Sequence, residues 1–123
     1  MGLGGSSAVK CTPELKKEID DAITNHAVTV FSATYCPYCT RVKGLLKQWQ
    51  PYVVEVDQVK NGGAMGEYKS YLSEVTGASR ITWPRVFIGG KCVGGCDDTT
   101  SLKNSGKLEQ MISEAQENSS AKL

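Results

Sequence analysis

Apolar residues recur along this chain with two different periods, and the places where one period gives way to the other predict its elements. After Thr12-Pro13-Glu14, an N-cap residue, first-turn proline and first-turn acid, Leu15, Ile19, Ala22 and Ile23 keep helical spacing to about Asn25. Val28-Thr29-Val30-Phe31 is short, β-branched and apolar, as a buried strand would be. A second helix is expected from Pro37 through Val42, Leu45, Leu46 and Trp49, stopping before Pro51. Val53-Val54-Glu55-Val56 reads as the next strand and completes a βαβ unit. Gly62-Gly63 marks a turn, and Met65, Tyr68, Leu72 and Val75 predict a third helix ending near Gly77. Arg85-Val86-Phe87-Ile88, Gly89-Gly90 and Lys91-Cys92-Val93 have the strand, turn and strand pattern of a hairpin. A last helix is expected from about Thr99, with Leu102, Leu108, Met111 and Ile112 facing inward. The order αβαβαββα describes an α/β domain with one mixed sheet, its first strands parallel and its last pair antiparallel.

Length and composition narrow the classes open to such a domain. The chain has 123 residues, the size of one domain, and 40% apolar residues, enough for a single core. Residues 1–10 are Gly- and Ser-rich and read as a flexible leader, 11–117 as the folded domain, and 118–123 as a disordered polar tail. A formal net charge of +1 argues against a protein built to grip nucleic acid. No apolar run approaches the roughly 18 residues needed to cross a bilayer, and Met1–Ala8 lacks the apolar segment of a secretory signal. Five cysteines without an export signal point to a reducing, cytoplasmic setting, and an odd number leaves at least one thiol unpaired.

The chemistry concentrates in Cys36-Pro37-Tyr38-Cys39, placed where a strand hands over to a helix inside a βαβ pattern. Cys36 falls at the helix start, where unpaired N–H groups and the helix dipole favour a sulfur anion. Cys39 lies three residues on, close enough to reach Cys36 and less exposed, which suits a resolving thiol. Pro37 fixes the first turn and removes one donor that the helix start would otherwise leave unmatched. Cys92-x-x-x-Cys96 supplies a second pair, so four thiolates holding zinc or an iron–sulfur cluster is the competing reading. The more than fifty residues between the pairs weigh against it, since zinc ribbons keep their pairs roughly 15–20 residues apart.

With this motif, Thr82-Trp83-Pro84 and Val93-Gly94-Gly95-Cys96-Asp97-Asp98 at their separations, the chain resembles a dithiol glutaredoxin over roughly residues 12–116. The resemblance implies a thioredoxin-like fold, a central four-stranded mixed sheet flanked by helices. It implies a monomer that reduces glutathionylated and disulfide-containing proteins, with glutathione or a related thiol as co-substrate, no metal, and a potential of roughly −200 to −230 mV. Carried over by residue, Cys36 is the nucleophile that takes the glutathionyl group, and Cys39 resolves the adduct. Tyr38 flanks the ligand, and Pro84 matches the family's cis-proline, which turns the Trp83 backbone toward the ligand. Gly94 and Gly95 allow close approach; Cys96 and Asp97 offer N–H groups to the γ-glutamyl carboxylate, and the Asp97 side chain faces its ammonium.

The chain departs from the family pattern at three places. Ala33 stands where the family commonly has a lysine, and Lys69 on the third helix is the candidate replacement charge. Trp83 replaces a small β-branched residue, as core or as ligand contact, and Ala78-Ser79-Arg80-Ile81 lengthens a loop near the site. Arg41 and Lys43 read as a solvated face, His26 as a dipole partner at a helix end, Cys92 as a strand residue and Cys11 as lying at the mobile edge. Two other roles are open: carriage of a glutathione-ligated iron–sulfur cluster, which Pro37 disfavours, and direct thioredoxin-type disulfide reduction, which Gly94-Gly95-Cys96-Asp97-Asp98 disfavours. Gly2 fits a loose myristoylation pattern, and Ala121-Lys122-Leu123 resembles a peroxisomal address.

Overall fold

The computed structural model describes residues 10–121. Gly2, the expected leader up to residue 9, and Lys122-Leu123 of the terminal address lie outside the described residues. The elements are α1 (Pro13–Thr24), β1 (Val28–Ser32), α2 (Pro37–Leu46), β2 (Tyr52–Glu55), α3 (Met65–Thr76), β3 (Arg85–Ile88), β4 (Lys91–Gly94), α4 (Cys96–Asn104) and α5 (Lys107–Ala121). Thr12 caps α1 as its residue type predicts, accepting the Leu15 N–H at 3.2 Å.

The four strands form one sheet in the order β2-β1-β3-β4, with β1–β2 parallel and β1–β3 and β3–β4 antiparallel. All five residues of β1 are buried, Thr29 and Ser32 among them, as a strand covered on both faces requires. Strand periodicity divides its core in two. Phe31 and Phe87 face Leu15, Ile19 and Leu72 of α1 and α3, while Val28, Val30, Val86 and Ile88 face Val42 and Leu46 of α2 and Leu108 and Ile112 of α5. Phe31 and Phe87 meet edge to face at 5.7 Å. This is the thioredoxin-like architecture, a mixed four-stranded sheet between helical layers.

The final helix differs from expectation. It starts at Cys96 instead of Thr99, and it is two helices, broken at Ser105–Gly106. Gly106 has φ +79, a left-handed conformation that glycine adopts without a Cβ clash and that ends α4. α5 continues to Ala121, past the expected boundary at residue 117. Strand β2 is shifted one residue toward the N-terminus, Tyr52–Glu55, and Lys47–Trp49 form a separate 3-10 turn after α2. No helix among the described residues is long and apolar enough to cross a membrane.

Candidate active site

Cys36 is the N-cap of α2 and Pro37 its first residue, so the end of β1 delivers the thiol directly to a helix start. The main chain holds this corner: Cys36 N–H donates to Ala33 O at 3.1 Å, and the N–H groups of Cys39 and Thr40 close onto Cys36 O at 3.1 and 3.2 Å. The sulfur itself makes no capping bond to the helix N–H groups. All five cysteines are free thiols, and a thiol has a proton to donate, so Cys36 Sγ turns to the Trp83 carbonyl at 3.6 Å.

Cys39 is fully buried beneath Cys36, where the Ala33 N–H donates to its sulfur at 3.5 Å. Burial pushes its thiol up to about 11, and neighbouring Cys36 pushes the same way against the Ala33 N–H and the Ser32 hydroxyl. The two sulfurs therefore have opposite settings: Cys36 half-buried at a helix end, Cys39 enclosed and held protonated.

A third element fixes the loop between them and β1. Asp57, just beyond β2, accepts the Thr34 N–H at 2.9 Å on one oxygen and the Thr34 hydroxyl on the other. These bonds hold the Asp57 carboxyl below the usual carboxylate range. Thr34 is two residues from the nucleophile, so a carboxylate 23 residues away in sequence clamps the active-site loop.

Beside the thiols runs a groove of about 360 Å³. Tyr38, Trp83, Pro84, Gly95, Cys96 and Asp97 line it, together with Thr82 and Asp98, which stand in the two motifs without an expected role, and Arg85, which the sequence marks only as a strand residue. The Trp83–Pro84 peptide is cis. Asp98 caps α4 by accepting the Gly95 N–H at 3.2 Å, which leaves the Cys96 and Asp97 N–H groups as unpaired donors at the helix start. The exposed Asp97 carboxylate makes no hydrogen bond or ion pair among the described residues. Arg85 donates through Nε to Thr82 O at 2.9 Å and through Nη2 to Thr82 Oγ1 at 3.1 Å, bracing the segment that carries the Trp83 carbonyl. No periodic signal in the sequence marks Arg85, Thr34 or Asp57 as parts of a site.

Lys69 does not line this groove. Tyr68, Tyr71 and Leu72 are the buried positions of α3, and that helical phase leaves Lys69 exposed. Ala33 is fully buried, so no side-chain cation stands at that position. The Trp83 indole packs on the α1/α3 core, its Nε1 enclosed without a partner. Arg41 is exposed, as a solvated face requires, and lies over the Tyr38 ring at 5.6 Å, whereas Lys43 is half-buried and pairs with Glu55 at 2.6 Å. Cys11 is buried in the α1/α3 core and not at a mobile edge, because the residue before the α1 cap turns inward. His26 stacks on Tyr52 at 4.0 Å. Among the described residues no cluster of three or more His, Cys, Asp or Glu is placed to hold a metal ion.

A family model described as Glutaredoxin matches residues 28–93. A glutaredoxin of Ricinus communis is 45% identical over 97 residues, 77% of this chain and 90% of that protein. A chloroplastic monothiol glutaredoxin-S12 of Arabidopsis thaliana is 39% identical over 112 residues, 89% of this chain and 60% of that longer protein. The crystal structure of a buckwheat glutaredoxin–glutathione complex superposes with a TM-score of 0.71 at 36% identity, covering 85% of this chain and 96% of that one.

Proposed function

The chain belongs to the glutaredoxin family, consistent with thiol–disulfide oxidoreductase chemistry, and on that premise we propose a glutathione-dependent enzyme with Cys36 as nucleophile and Cys39 as resolving thiol. One observation carries this reading: a half-buried thiol at a helix start, against the Trp83 carbonyl, opens beside a groove whose far end has unpaired helix N–H groups. Glutathione fits that order of groups. Its cysteine sulfur meets Cys36, its γ-glutamyl carboxylate takes the N–H groups of Cys96 and Asp97, and its ammonium faces the Asp97 carboxylate. Tyr38, 53% exposed, and Trp83 with Pro84 form the sides of the groove.

In the first step the Cys36 thiolate attacks the glutathionyl sulfur of a mixed disulfide. A Cys36–glutathione disulfide forms, and the target's thiolate leaves and is protonated by solvent. In one branch, glutathione thiolate attacks the bound glutathionyl sulfur and frees Cys36. In the other, Cys39 attacks Cys36 Sγ, closes a Cys36–Cys39 disulfide and expels glutathione. The buckwheat glutaredoxin, solved as its complex with glutathione, supports glutathione as the ligand class.

Cys36→Ser is expected to abolish turnover of a glutathionylated peptide, while Cys39→Ser keeps it and loses reduction of a protein disulfide. Full activity in Cys36→Ser would remove the assignment.

A further inference from the structure

Ser32 ends β1 fully buried, yet its hydroxyl has no hydrogen-bond partner. A buried hydroxyl left unpaired is destabilising, and native folds keep few of them. Its neighbours show what it can serve. Ala33, the next residue, points its N–H at Cys39 Sγ, and alternation along β1 puts Ser32 on the face of Val30, the one that packs on α2, where Cys39 is buried. From that face the Ser32 hydroxyl favours the Cys39 thiolate. While Cys39 is a thiol its sulfur is a weak acceptor, and the hydroxyl has little to gain there. Once Cys36 enters a mixed disulfide, it no longer opposes ionisation of Cys39, and burial is set against the two donors alone.

We propose that Ser32 is a donor for the resolving thiolate: its hydroxyl hydrogen, unused in the reduced protein, turns onto Cys39 Sγ as that sulfur loses its proton and attacks Cys36. The inference rests on the dithiol reading above. The Cys39 proton goes to solvent, and the Cys39 lone pair forms the new bond to Cys36 Sγ. The existing bond from Cys36 Sγ to the substrate sulfur breaks, and its electron pair departs on a thiolate that water protonates. Ser32 keeps its proton throughout. With the Ala33 N–H it makes a two-donor cradle, the sulfur counterpart of donors aimed at developing negative charge.

The test treats wild type, Ser32→Ala and Cys39→Ser with one equivalent of dithiobis(nitrobenzoate), which releases one coloured thiolate on attack by Cys36 and a second on resolution by Cys39. The first phase should be unchanged in Ser32→Ala. Losing one hydrogen bond to the anion lowers the thiolate fraction about tenfold near neutrality. Each remaining anion is about threefold more nucleophilic, so the second phase should slow only about threefold. Its pH midpoint should move up by about one unit, and above that midpoint the variant should be the faster enzyme. A packing defect would slow the step without moving the midpoint, so an unmoved midpoint overturns the proposal. Removing an unpaired hydroxyl should leave the melting temperature equal or higher; a fall would mean the hydroxyl already has a structural partner and likewise overturns it. A second phase that survives in Cys39→Ser is not resolution and removes the dithiol reading with this inference. A Ser32-dependent second phase with no uptake of glutathione disulfide at Cys36 supports the inference and removes the glutathione reading alone.

Discussion

Gly94→Ala tests the wall of the groove through a clash that the backbone dictates. Gly94 ends β4 at φ +116, and a Cβ there would stand 2.1 Å from Asp98 Oδ2, 2.6 Å from its Cγ and 2.9 Å from its Cβ. The last of these atoms is fixed to the helix, so rotation of the carboxylate alone cannot relieve the contact. If the Asp98 side chain leaves, the Gly95 N–H loses its acceptor, and with it the bond that starts α4 with Cys96 and Asp97 on the groove. A side chain at that backbone angle costs about 1–3 kcal/mol. Loss of the cap costs about 1 kcal/mol more. The sum, roughly 2–4 kcal/mol, is a large share of the 5–15 kcal/mol that holds a typical domain together, and it lowers the melting temperature by roughly 10–20 °C. Gly95→Ala is the matched control: its Cβ meets Pro84 O at 3.4 Å and Arg85 Nη2 at 3.5 Å, ordinary contacts without a left-handed φ. Urea unfolding of the reduced protein measures stability, and KM for a glutathionylated peptide reports the groove. Gly94→Ala should be clearly the less stable of the two and should raise KM. If Gly94→Ala matches wild type in both, Asp98 does not hold this wall and the account of the groove fails.

Other outcomes follow from the same contacts. Asp57→Ala should release Thr34 and lower kcat/KM, seen also as altered alkylation of Cys36; because the Asp57 carboxyl is held low, its contribution is present above the ordinary carboxylate pKa and is lost as pH falls through the lowered value, so the two proteins should converge in stability in acid. Tyr71 donates to Asp20 at 2.7 Å, which pushes its hydroxyl up to about 12; this stabilisation is complete below the unfolded pKa of about 10 and disappears as pH rises through about 12, so denaturant midpoints should fall over that window less steeply in Tyr71→Phe. Lys69→Ala should leave KM for glutathionylated peptide unchanged, and a marked rise would bring Lys69 back as a ligand residue. Phe31→Ala, which empties a fully buried position in β1, should cost about 3–5 kcal/mol in urea unfolding, and a loss below about 1 kcal/mol would contradict the assigned core.

Much of the fold was legible because the two apolar periods are clean where packing demands them. β1 is buried on both faces and its sequence is β-branched or aromatic at every position but the last; α1 is buried on one face and its sequence is apolar at every third or fourth. The final break was harder to see, although a trace of it was present. Leu102 and Leu108 are six positions apart, roughly 240° around an uninterrupted helix, so they could not share one inward face without a break between them. Gly106 supplies that break. Lys69 lies exposed and outside the groove for a related reason: charge names a residue type, while helical phase decides which way it points, and Tyr68, Tyr71 and Leu72 take the inward side of α3. Cys11 shows the opposite error, a residue near the expected leader that packs because the chain must turn into its cap.

The site divides along similar lines, between what the main chain supplies and what distant side chains supply. Ala33 contributes its carbonyl to Cys36 N–H and its own N–H to Cys39 Sγ, and Trp83 contributes its carbonyl to Cys36 Sγ. None of these contacts depends on the side chain of the residue that makes it. Hence Ala33 can stand where relatives commonly have lysine without disturbing the geometry of either sulfur, and Cys36-Pro37-Tyr38-Cys39 could be read from spacing alone. The contacts between distant side chains have no such local signature. Asp57 reaches Thr34 across 23 residues, which needs the parallel β1–β2 pair to bring two strand ends to one edge, whereas Arg85 braces Thr82 only three residues back, around the cis Trp83–Pro84 bond. A change at Asp57 or Arg85 therefore reaches the sulfurs indirectly, by releasing Thr34 beside Cys36 or the Thr82 segment that carries the Trp83 carbonyl, while the cysteine motif itself stays as it is.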